Sequence, residues 1–212
     1  LQATSAKRTS QYSFDESAPL IIHVDLNMEA KMLSITFDEP VKMSSFKPSF
    51  ITIHNNAGIS TGNYEELALT GGVRSTTADD EVVTFKIEDG NIEDLKALFE
   101  TANGVEDTFL QIDAAMVLDM AARNEIEGNP IESSTAVPIN TYTPDSTKPT
   151  MTQFYELDMN DGTMTLHYSE PVDISTIQYN SFTIQSNVGP DSSTVTSLAL
   201  SGGSVEYVAG TS

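Results

Sequence analysis

Residues 31–41 read Lys31-Met-Leu-Ser-Ile-Thr-Phe-Asp-Glu-Pro-Val41, and 131 positions later residues 162–172 read Gly162-Thr-Met-Thr-Leu-His-Tyr-Ser-Glu-Pro-Val172. Both stretches alternate. Leu33, Ile35 and Phe37 share one face, and Met164, Leu166 and Tyr168 share the corresponding one. Alternation of apolar with polar residues marks a β-strand with one face buried and one wet. Pro40 and Pro171 follow the alternation, and a proline cannot donate to a central ladder, so each marks a strand end or a crossover.

The correspondence extends outward from these strands. Tyr12-Ser-Phe-Asp15 with Pro19 returns as Tyr142-Thr-Pro-Asp145 with Pro149, at an offset of 130. After one extra residue near the first turn the offset is 131. Phe50-Ile-Thr-Ile53 then answers to Ser181-Phe-Thr-Ile184, and Leu67-Ala-Leu-Thr-Gly-Gly72 to Leu198-Ala-Leu-Ser-Gly-Gly203. An internal period of this length sets the domain plan before any local reading. We therefore divide the chain into residues 1–11, the tail of a preceding copy or a linker; 12–141, a complete copy; and 142–212, the front half of a second. Two readings of the half-copy stay open: a window from a longer tandem array, or completion in trans by another chain.

Further strands are predicted at 20–25, 50–54, 64–70, 82–88, 108–113 and 135–142. Turns are expected at Asn160-Asp-Gly162, Gly71-Gly72, Gly202-Gly203 and Asn55-Asn56. Many short strands in one copy predict an antiparallel β-sandwich. One segment differs. Ile92, Leu95, Leu98 and Phe99 fall at helical spacing, Asn91 suits an N-cap, Glu93 and Asp94 suit the positive end, and Asn103-Gly104 a stop. One short helix per copy, about 91–101, is expected. The short Asp145–Pro149 stretch predicts a semi-rigid junction.

These residues resemble a known family. An Asp-x-x-x-Pro linker, strands ending Phe37-Asp-Glu-Pro-Val41 and Tyr168-Ser-Glu-Pro-Val172, the Phe182-Thr-Ile184 strand, and a closing Val117-Leu-Asp-Met-Ala-Ala-Arg-Asn124 with Gly128-Asn-Pro130 resemble the bacterial-type Ig-like repeats of S-layer proteins and large adhesins. Related repeats occur in algal surface proteins. The resemblance covers nearly all of the first copy and the front of the second. The 91–103 segment and the longer spacing before Gly128-Asn-Pro130 depart from the plain pattern. The resemblance implies tandem Ig-like sandwiches and an extracellular or cell-surface location.

Charge narrows the function classes. The 212 residues carry 31 acidic and 10 basic side chains, a net charge of −21. That disfavours binding to nucleic-acid phosphates and to anionic lipid. No apolar run approaches the ~20 residues of a membrane helix, so no membrane insertion is expected. There is no Cys and no Trp, which removes disulfides and thiolate metal sites. Fifteen of the 31 acids lie between Asp79 and Glu132, the half that the second copy lacks.

Catalysis is not expected. His23 and His54 are replaced by Gln153 and Gln185 in the second copy, His167 answers to Thr36, and none has ligand or triad spacing, so all three are read as solvent-facing strand residues. No nucleophile elbow or phosphate loop occurs. The acids at the repeated positions are better suited to calcium, which takes six to eight oxygen ligands. The candidates are Asp15 and Asp145 in the linkers, Glu39 and Glu170 at strand ends, and Asp119 with Asn124 in the closing loop. The bland alternative is a solvated acidic face. Tyr12, Tyr64, Tyr142, Tyr155, Tyr168 and Tyr179 are too scattered to form an evident sugar platform. The reading is a structural or spacer segment of a stalk, fibre or surface layer, its partners neighbouring repeats or copies of itself. The alternative is an adhesion module for carbohydrate, such as surface glycans, or for protein.

Overall fold

In the computed structural model, which describes residues 7–13, 15–57, 65–98, 101–120, 126, 136–187 and 195–207, the stretch quoted first is indeed a strand. The chain divides into two units, Leu1–Thr147 and Lys148–Ser212. The first contains β1 (Ile21–Asn27), β2 (Met32–Val41), β3 (Ile51–His54), β4 (Glu66–Ala68), β5 (Gly72–Arg74), β6 (Asp80–Ile87), α1 (Asp89–Ala97), β7 (Phe109–Ile112), β8 (Val137–Pro138) and β9 (Thr141–Thr143). One sheet has the order β5-β6-β2-β1-β9, the other β4-β3-β7-β8. Neighbours are antiparallel except β9, which runs parallel to β1.

Alternation decides which face points inward. Val24 and Leu26 on β1, Leu33, Ile35 and Phe37 on β2, and Val83, Phe85 and Ile87 on β6 are buried, as are Ile51, Ile53, Leu110 and Ile112 on the other sheet. All belong to one core cluster. Two sheets closing on a shared core are the arrangement of a β-sandwich. Fully burying side chains of this size stabilises by about 1.5–3 kcal/mol each, so the core is sized to hold the unit together.

Several expectations need correction. Gly71-Gly72 is not a simple turn: it lies where the chain passes from β4 in one sheet to β5 in the other. Gly72 opens β5, and a Cβ there would lie 2.7 Å from both the Lys86 carbonyl oxygen and a Phe85 ring carbon. The glycine is required by close approach. The strand expected over 135–142 is broken into β8 and β9, with Asn140 between them donating its backbone N–H to the Val24 carbonyl. The helix runs over Asp89–Ala97 with Glu88 as its cap, rather than 91–101 with Asn91 capping. Asp89, in the first turn, pairs with Lys31 and Lys86, and these pairs hold its carboxyl below the ordinary range. Asn91 is buried within the helix, where its Oδ1 accepts from both the Thr70 N–H and hydroxyl. Ile92 and Leu95 enter the core as the helical spacing predicts, whereas Phe99 lies outside the described residues.

The second unit contains two antiparallel pairs, β10 (Met151–Asp158) with β11 (Thr163–Tyr168), and β12 (Thr183–Gln185) with β13 (Ser197–Ala199). Its registers are those of the first unit displaced. Thr52↔Ala68, Ile53↔Leu67 and His54↔Glu66 reappear 131 positions on as Thr183↔Ala199, Ile184↔Leu198 and Gln185↔Ser197. The irregularity between Ile21 and His23 returns between Met151 and Gln153. A second irregularity lies between Phe154 and Glu156. Tyr155 is thus the extra residue that changes the offset from 130 to 131, a β-bulge inside the strand. Asp158 and Asn27 cap the two hairpin turns alike, accepting from the Asn160 and Ala30 N–H groups. The left-handed position holds Gly162 in one hairpin and Lys31 in the other. No described residue of the second unit is buried.

Candidate functional site

At one end of the first unit, four carboxylates gather around the place where β2 leaves its ladder. Regular pairing of β2 with β6 runs to Thr36 and resumes only at Val41, so Asp38, Glu39 and Pro40 occupy the irregular interval. The Asp38 carboxylate accepts the Leu20 N–H at 2.8 Å. Asp119 is 1% exposed and bridges Val41, while the adjoining Leu118 N–H is held by the Ser45 hydroxyl at 2.9 Å. Asp15 accepts the Ser17 N–H two residues on, an Asx turn. Burial, and then repulsion from Asp15, Asp38 and Asp119, raises the Glu39 carboxyl above its ordinary range.

The structure therefore brings together three of the six calcium candidates, Asp15, Glu39 and Asp119, and adds Asp38. Asn124 lies outside the described residues. Among the described residues, no three His, Asp or Glu side chains are gathered as a metal's ligand set. The carboxylates share an electrostatic field without forming a coordination shell.

Asp145 is elsewhere, and its carboxylate is already engaged. It repeats the Asx turn of Asp15, accepting the Thr147 N–H at 2.9 Å, and it is ion-paired with Lys96 from the last turn of α1. Glu29, in the β1–β2 turn, accepts the Ser146 N–H at 2.7 Å and the Ser146 and Thr147 hydroxyls at 2.9 Å each. These hydrogen bonds, led by the Ser146 N–H, lower the Glu29 carboxyl. Just before them, β9 pairs with Asp25–Asn27, and the Tyr142 hydroxyl donates to the Ala102 carbonyl at 2.5 Å. The segment leaving the sandwich is thus fastened by a strand, an ion pair and a three-pronged carboxylate. A cation is not needed to satisfy either acid. A hollow of about 300 Å³ beside this segment, lined by Met28, Leu95, Ala102 and Tyr142, holds one carboxylate, that of Asp145.

Glu170 follows β11 in the second unit and is half-buried. The histidines are not alike, and the reading of all three as solvent-facing is corrected for one. His54 is 0% exposed and stacks on Phe109 at 6.3 Å between centroids, and burial lowers its pKa. It closes β3, one of the two inner strands of the four-stranded sheet, where Phe109 on β7 faces it in register. His23 lies beside Asp25 at 2.8 Å, and His167 stacks on Tyr155 at 5.0 Å. Of the tyrosines, Tyr12 and Tyr155 are well exposed and Tyr142 is half-buried; Tyr64 lies outside the described residues.

Sequence reading missed Glu29, Asp38 and Lys96. Glu29 answers to Asn160, so a search for acids kept in both copies passes over it. Lys96 carried a usable signal, being the basic residue in the last turn of an acidic helix. No described helix is long and apolar enough to cross a membrane. Comparison of the chain with protein-family models, curated proteins and solved structures finds no match in any of the three.

Proposed function

We propose that the chain is a structural segment of an extracellular or cell-surface protein built from Ig-like sandwich repeats, and that it serves as a spacer in a stalk, fibre or surface layer. The observation that carries this reading is the fastening of residues 141–147. Strand β9, the Lys96–Asp145 pair and the Glu29 clamp fix the direction in which the chain leaves the first sandwich. A spacer needs a defined exit, whereas a flexible tether would leave the same residues solvated. The displaced strand registers of the second unit support a repeated plan. The rival is an adhesion module for carbohydrate or protein. A glycan array probed with the full chain tests the carbohydrate arm of that rival: a spacer leaves it blank, and saturable binding to one glycan class would replace this reading.

A calcium-binding role is the second reading, located at Asp15, Asp38, Glu39 and Asp119. It is supported by the convergence of four acids where β2 leaves its ladder; burial, and then repulsion from Asp15, Asp38 and Asp119, raises Glu39, and a divalent cation would relieve the repulsion. These oxygens would have to draw inward to make the six to eight contacts calcium requires. Titration to millimolar calcium should then raise the melting temperature of the full chain, and Glu39→Gln should reduce that rise. An unchanged transition would remove calcium from this cluster.

A further inference from the structure

The open side of the second unit has a counterpart inside the first, and the counterpart is covered. On β2, one edge pairs with β1 and the other with β6, in the register Met32↔Lys86, Leu33↔Phe85, Ser34↔Thr84, Ile35↔Val83 and Thr36↔Val82. On β11, one edge pairs with β10, and no described residue pairs with the other. The faces tell the same story. Val24 and Leu26 are 0% and 1% exposed, whereas Phe154 and Leu157, which occupy the same places opposite Leu166 and Met164, are 47% and 40% exposed. The core that encloses the first unit's face includes Met43, Phe46, Ile51, Ile53 and Leu69 from the front half, and beyond them Val83, Phe85 and Ile87 from β6, Ile92 and Leu95 from α1, and Leu110 and Ile112 from β7. The residues from β6, α1 and β7 come from the segment 80–143.

We propose that the second unit is a receiving face for a polypeptide segment of the same class as residues 80–143, whose leading strand adds antiparallel to the edge of β11 that no described residue pairs. The register follows from the offset. The occupant's equivalents of Phe85, Thr84 and Val83 lie opposite Met164, Thr165 and Leu166. Its helix and following strand cover Phe154 and Leu157, as α1 and β7 help to enclose Val24 and Leu26. An unpaired edge and an apolar face together specify this geometry, since the edge supplies main-chain hydrogen bonds and the face supplies side-chain selectivity. Charge selects the source. Residues 80–143 carry a net −11 and residues 142–212 a net −7, so a free segment would approach against repulsion. A segment in the same polypeptide overcomes this through its high effective concentration. The occupant is therefore a covalently continuous back half. The inference rests on the displaced registers and exposures, independent of the spacer reading.

The test extends the full chain after Ser212 with a second copy of residues 82–147, the position at which the 131-residue offset continues. Ser34 Oγ and Thr84 Oγ1 lie 2.9 Å apart in the first unit, so Thr165→Cys and a Cys at the appended Thr84 should face each other. The natural chain has no Cys, so a disulfide formed under mild oxidation reports this pair alone. The expected result is efficient cross-linking at Thr165, at least ten-fold slower cross-linking from the register-shifted Thr163→Cys, and at least ten-fold slower amide exchange across Thr163–Tyr168 than in the natural chain. Placing Asp at the appended Phe85 should abolish all three. Exchange across Thr163–Tyr168 that is unchanged by the extension, whether or not the added segment folds, would overturn the proposal. So would concentration-dependent protection of the same amides in the natural chain, which would make a second copy the occupant.

Discussion

Glu39 and His54 are two groups whose charged forms the fold disfavours, so that Glu39 holds a proton more tightly and His54 less tightly than in the unfolded chain. Burial and three neighbouring carboxylates raise Glu39 above its ordinary 4.5. A group raised in the folded state binds its proton more tightly there, so its penalty is complete above the folded value and vanishes below the unfolded one. Glu39→Gln should therefore raise the melting temperature of the full chain at pH 7, with the advantage shrinking toward pH 4; an unchanged midpoint would show that the cluster is fully relaxed by solvent. His54 runs the other way. Burial lowers it from 6.5, so the stability associated with the neutral ring is complete above about 6.5 and is lost as pH falls through the folded value. Melting followed from pH 7 to pH 5 should show a decline that is shallower in His54→Leu. Equal slopes in the two proteins would assign the decline to other groups.

Elements show where local signals suffice. The β2 strand was legible in the alternation of Leu33, Ile35 and Phe37, and the structure buries those three. The helix was legible in its apolar stripe but not at its start. Asn91 has the chemistry of an N-cap, yet its side chain is used laterally to satisfy Thr70, while the helix begins two residues earlier at Asp89 beside two lysines. Cap identity depends on partners distant in sequence, which a local pattern does not contain. The same limit explains His54: period two places it outward, and only the pairing of β3 with β7 brings Phe109 over it. Gly72 was seen, but its reason was not. It permits β5 to lie against Phe85 and the Lys86 carbonyl, and Gly72→Ala should destabilise the first unit by about 1–3 kcal/mol through overpacking against backbone. A loss below a few tenths would mean that β5 shifts freely. Of the six calcium candidates, Asp15, Glu39 and Asp119 lie within one another's field, two of them acids at repeated positions and one from the closing loop. The Lys96 partner that satisfies Asp145 was not legible, because it is brought in by the helix from 49 positions away.

For the whole molecule, the two units differ in what they enclose. The first places two sheets around one core. The second displays the same kind of strand pairs with no described residue buried. Burial of apolar surface is the dominant favourable term in folding, and two-stranded pairs alone are marginal in water. The net charge of −21 adds repulsion within the chain, against which the segment 141–147 is held by strand β9, the Lys96–Asp145 pair and the Glu29 hydrogen bonds. The central claim is that residues 7–147 enclose a core of their own whereas residues 148–212 by themselves do not. Calorimetry on the separate segments 7–147 and 148–212 tests it most directly. The account predicts one cooperative transition for 7–147 and none for 148–212, which should bind an apolar dye; a cooperative, monomeric melt of 148–212 would contradict it.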